Sequence, residues 1–104
     1  MAEGLKTYWY QGVDALLKGD EALAQDIWMS AMLECRVDEV KDRTAELVAV
    51  LENTAIELLQ AGNWNGSKKC YEMALEADQS FENVTLKKFF LAGNIYSTLQ
   101  KSEI

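Results

Sequence analysis

Apolar residues recur at steps of three and four along nearly the whole 104-residue chain, and the rhythm stops twice at the same chemistry, Gly19-Asp20 and Gly62-Asn63. Leu5, Tyr8, Trp9, Gly12, Val13, Leu16 and Leu17 form an apolar stripe that predicts a first helix over 5–18. Gly19 ends it, because glycine enters the left-handed cap conformation without a Cβ clash, and Asp20 follows as an N-cap for the next helix. Leu23, Ala24, Ile27, Trp28, Ala31 and Met32 make the buried face of that second helix. A third, longer helix is predicted over 37–61, with Val37, Val40, Thr44, Leu47, Leu51, Thr54 and Leu58 as a heptad-like seam. At 1.5 Å per residue it would run roughly 37 Å, long enough to leave room for a break near residues 43–44. Glu39 and Arg43 stand one turn apart on it, at the spacing of an ion pair. Gly62-Asn63 repeats the turn, and a fourth helix follows from Trp64 to Ala77 with Tyr71, Ala74 and Leu75 inward. After the polar joint 78–80, a last helix is predicted over 83–99, with Leu86, Phe89, Phe90, Gly93, Tyr96 and Leu99 on its stripe. The tail 100–104 lies beyond that stripe, where chain ends fray.

The segments Tyr8–Ala31 and Leu51–Ala74 are the same hairpin written twice. In each, an aromatic follows the turn glycine by nine residues (Trp28 after Gly19, Tyr71 after Gly62), and an alanine follows three residues later. A repeated hairpin cannot bury its own apolar face and must stack on a neighbour. The expectation is therefore an all-α chain of about five helices in one domain, 1–104. It comprises a hairpin over 5–34, a second over 37–77 and a capping helix over 83–99. The absence of proline and the presence of only six glycines favour long helices and short turns over a sheet.

This pattern resembles the tetratricopeptide (TPR) repeat, in which small residues let two antiparallel helices approach and an aromatic fills the groove beside them. In the first unit Tyr8, Gly12, Ala24, Trp28 and Ala31 match, with Gly19 at the turn; Gln11, Ala15 and Arg36 depart from the consensus. In the second, Gly62, Tyr71 and Ala74 match and Ala55 and Ser67 are small where small is needed, while Leu51, Leu58 and Gln79 depart. A truncated third unit matches at Phe89, Ala92, Gly93 and Tyr96. The two turn glycines lie 43 residues apart, against a usual repeat of about 34. The resemblance implies a short superhelix packed through Gly12, Ala55 and Gly93, with Tyr8, Trp28, Tyr71, Phe89 and Tyr96 as core. It further implies a concave groove bearing Trp9, Val13, Glu52, Ile56, Phe90 and Asn94, where members of the family dock peptides or helices. The subclass that clamps C-terminal carboxylates uses Lys, Asn and Arg; the matching positions here hold Trp9, Val13, Asn53, Lys87 and Phe90, of which Asn53 and Lys87 alone keep that chemistry.

Charge narrows the partners. The net charge is −7, with 11 acids and 5 bases in residues 1–52 but 6 acids and 5 bases in residues 53–104. An acidic surface repels phosphate backbones, so nucleic acid is not expected, and a basic protein surface is the natural complement to the N-terminal half. The run Glu34, Asp38, Glu39, Asp42 and Glu46 is a solvated helix face, or a strip for a cation or a basic partner. No stretch approaches 18 uninterrupted apolar residues and Met1–Gly4 has no signal-peptide character, so no membrane span is expected. Cys35 and Cys70 lack paired spacing and read as reduced thiols of a cytoplasmic protein.

Candidate chemistry is thin. The chain has no histidine, which removes the usual general base, the Ser-His and Cys-His nucleophiles and the imidazole metal ligands. Lys68 and Lys69 precede Cys70 and would lower its pKa, yet the position reads as a small core residue. No calcium-loop or glycine-rich phosphate motif is present. The expectation is a non-catalytic interaction module without cofactor or metal, docking a peptide or amphipathic helix. The alternative is a structural homodimer paired through the long third helix, with the groove occluded.

Overall fold

The computed structural model describes residues 2–90, with side chains from Lys6 onward. The chain is all-helical, with no strand among those residues. Helix α1 spans Ala2–Leu17, α2 Glu21–Leu33, α3 Val40–Gln60 and α4 Trp64–Ala77; a 3-10 turn at Val37–Glu39 leads into α3. A further helix, α5, begins at residue 84 and is described through residue 90.

Both hairpin turns are built alike. Gly19 has φ +93° and Gly62 φ +85°, the left-handed conformation that their lack of a Cβ permits. The Gly19 N–H donates to Leu16 O (3.1 Å) and the Asp20 N–H to Ala15 O (2.9 Å); the Gly62 N–H donates to Leu59 O (3.1 Å) and the Asn63 N–H to Leu58 O (2.8 Å). This paired closure satisfies the last carbonyls of α1 and α3. The cap residues then start the returning helices: Leu23 N–H donates to Asp20 Oδ1 and Gly66 N–H to Asn63 Oδ1, each at 3.0 Å.

Inside the hairpins the same close approach is secured differently. Gly12 lies directly beneath the Trp28 indole, where any Cβ would overlap the ring, and Trp28 Nε1–H donates to Trp9 O at 3.1 Å. In the second hairpin Ala55 takes the place of Gly12, and the buried Ser67 hydroxyl donates to Ala55 O at 2.6 Å. The core runs through Trp9, Val13 and Leu16 of α1, Leu47, Leu51 and Ala55 of α3, Cys70 and Ala74 of α4, and Leu86 of α5. Helix α1 packs on α2 and also on both α3 and α4, so it, rather than α2, joins the two hairpins.

Several expectations are corrected. Tyr8 is 40% exposed while Trp9 is fully buried, because the face of α1 centred on Gly12 collects Trp9, Val13 and Leu16 and turns Tyr8 to its edge. Leu23 is exposed beside the cap, and Phe89 is exposed at the edge of α5. Val37 is 93% exposed and Val40 is exposed, so the expected third-helix seam is covered only from Leu47 onward, and there it is consumed inside the chain. No break occurs at 43–44; α3 is continuous from Val40, its first turns stitched by Arg43 to Glu46 (2.7 Å) and to Glu39 (3.2 Å), while Thr44 Oγ1 donates to Val40 O (2.8 Å). Asn83 caps α5 through Leu86 N–H (3.0 Å); Gly93, Tyr96, Leu99 and the tail lie outside the described residues.

Candidate functional site

Of the six residues expected to line a concave groove, two lie in the interior. Trp9 is 0% and Val13 5% exposed, so both belong to the interior and neither can meet a partner. Glu52 is half-buried and accepts a hydrogen bond from Asn83 Nδ2 at 2.7 Å, which orients the cap of α5. Ile56 is half-buried against the core. Phe90 stacks on Tyr71 with centroids 5.4 Å apart, inside an aromatic row that continues through Phe89 (5.3 Å) to Trp64 (6.0 Å) and through Tyr71 to Phe81 (6.1 Å). Asn94 lies outside the described residues.

An open concavity of about 350 Å³ lies instead between α2 on one side and α3 with α4 on the other. Gln25, Trp28, Met29 and Met32 form the first wall; Thr44, Leu47, Leu51, Met73, Glu76 and Ala77 form the second. Its origin is the way the hairpins are joined. Residues 34–39 separate α2 from α3, and α1 makes the contacts to the second hairpin, so α2 stands away from α3 and the wedge between them stays open. Trp28, Leu47, Leu51 and Met73 are buried and make the floor, whereas Met29 is 63% exposed at the lip. Leu33, Val37 and Val40, where α2 finishes and α3 begins, are exposed as well.

Polar groups in the groove are few. The Thr44 hydroxyl is already spent on Val40 O, which leaves Gln25 and Glu76 to offer directional contacts. Methionine supplies three of the lining side chains, each unbranched and able to reshape around an apolar ligand. Met29 and Met32 stand at i and i+3, and together with the 43-residue turn spacing they were the available sequence signal for this surface.

Nucleophilic chemistry is disfavoured at Cys70. Burial pushes the Cys70 thiol up to about 11, so it stays protonated at neutral pH despite Lys68 and Lys69. Cys35 is half-buried and its Sγ–H donates to Ala31 O at 3.5 Å. Hydrogen bonding to Glu39, reinforced by Glu46, holds the Arg43 guanidinium above its ordinary pKa and ties it to structure. Among the described residues no helix is long and apolar enough to cross a membrane. No protein-family model, curated protein or solved structure matches the chain.

Proposed function

We propose that the chain is a small, non-catalytic protein-interaction module, TPR-like in its stacked hairpins, that docks a helix or peptide of another protein in the groove between them. The observation that carries this reading is the methionine-walled wedge itself. Its floor is apolar, its lip is exposed, and too few polar groups converge there to orient a polar small molecule. Such a groove accepts apolar side chains presented at helical spacing. The net charge of −7 argues against nucleic acid as the occupant, and two unpaired thiols fit a reducing, cytoplasmic setting.

Substituting the exposed lip tests the reading without disturbing the core. Met29→Lys places a charge on the apolar wall and is expected to weaken partner capture from a native lysate by about tenfold or more, a loss of about 1.4 kcal/mol. Tyr10→Lys, on α1 and also exposed, is expected to leave capture unchanged. If wild type and Met29→Lys retain the same proteins to the same extent, the groove is not the docking site.

A further inference from the structure

We infer that the occupant of the groove is a basic amphipathic helix. This rests on the docking proposed above and adds the chemistry of the partner, which the distribution of charge around the groove specifies.

Both walls are acidic. Helix α2 carries Glu21 and Asp26 and no Lys or Arg; α3 and α4 together carry six acids against four bases, with Lys68 and Lys69 in the first half of α4 and Glu72, Glu76 and Asp78 towards and beyond its end. Two helix C-termini, those of α2 and α4, converge on the same end of the groove, since Met32 and Ala77 both line it. A helix C-terminus bears a partial negative charge that Lys or Arg in the last turn would ordinarily offset. Neither helix has a basic residue there, and each is capped by an acid, Glu34 and Asp78. An acid therefore adds to the adverse charge at each terminus. Of the cations at that end, Arg36 already lies against Asp38 (3.4 Å) and Arg43 against Glu39 and Glu46, which leaves Lys41. The positive N-terminus of α3 is offset by Asp38, Glu39 and Asp42 beside it.

An apolar floor framed by carboxylates and uncompensated helix ends fits a helix with apolar residues on one face and Lys or Arg flanking it. The lining residues of α2 from Gln25 to Met32 span about two turns, so anchors at i, i+3 or i+4, and i+7 fill the groove. A second copy of this chain is a poor occupant, because pairing the groove with itself would set acid against acid.

Three of the chain's four methionines line the groove, so methyl-labelled methionine reports on it directly by NMR. Three synthetic peptides of about 18 residues serve as probes: a Leu/Lys peptide with helical amphipathic spacing, a Leu/Glu peptide of identical pattern, and a Leu/Lys peptide scrambled so that no apolar face forms. The expected result is that the first shifts the Met29, Met32 and Met73 methyls and binds about tenfold or more tighter than the other two, with affinity falling as salt rises. In the Glu72→Lys/Glu76→Lys variant, whose sites are exposed, the preference between the Leu/Lys and Leu/Glu peptides is expected to narrow by about tenfold. Equal binding of the Leu/Lys and Leu/Glu peptides would overturn the basic partner and leave docking standing. No shift at the three groove methyls with any peptide would overturn both. Methyl shifts that follow protein concentration alone would assign the groove to a second copy and overturn the inference.

Discussion

The two hairpins share a turn and differ in their interiors. Each closes on a left-handed glycine, the same pair of backbone hydrogen bonds and a side-chain cap at 3.0 Å. Thereafter they diverge. At positions 43 residues apart, Gly12 beneath Trp28 corresponds to Ala55 bonded by Ser67, and buried Trp9 corresponds to half-buried Glu52, which serves the cap of α5. The first hairpin is closed by one large ring on a glycine; the second is closed by two small residues and a hydroxyl. Local turn chemistry can thus be copied faithfully while each face adapts to its neighbours. The first hairpin closes on Trp28, which together with Met29 and Met32 also lines the groove.

Truncating the two equivalent aromatics should expose that difference most strongly. Trp28→Ala removes a buried indole and the hydrogen bond it donates to Trp9 O, for an expected loss of about 4 kcal/mol. Tyr71→Ala removes a half-buried ring and should cost about 2 kcal/mol. Urea denaturation measures both; equal losses would mean that the hairpins are closed by equivalent interactions. At the turns the expectation reverses. Gly19→Ala and Gly62→Ala place a Cβ in the left-handed region with open space around it, so each should cost about 1 kcal/mol, and by the same amount. Unequal losses there would break the likeness of the turns.

The legible and illegible parts of this fold divide along the same line. Both turns, both caps and the bounds of α4 follow from Gly-Asp and Gly-Asn chemistry acting within a few residues, and the structure has them where the pattern puts them. The register of α1 is not local. Tyr8 and Trp9 are adjacent aromatics of similar helical fitness, and what selects Trp9 is the contact of Trp28 with Gly12, nineteen residues away along the hydrogen bond to Trp9 O. Helical resemblance placed Trp9 and Val13 on a groove for want of that information. The groove between α2 and the second hairpin was harder still to foresee, because it is the space left when α1 makes the bridging contacts, and no single segment encodes a space. The acidity of its α2 wall, by contrast, was visible in that of the N-terminal half.

The interior of α1 runs through Trp9 and Val13, so any docking surface lies away from them. Hydrogen exchange of the three indole N–H groups tests it most directly. Trp64, 60% exposed, should exchange at once; Trp28, bonded to Trp9 O, should be the slowest; and Trp9, fully buried, should be protected as well. A Trp9 indole that exchanges as fast as that of Trp64 would return Trp9 to the surface and contradict the account.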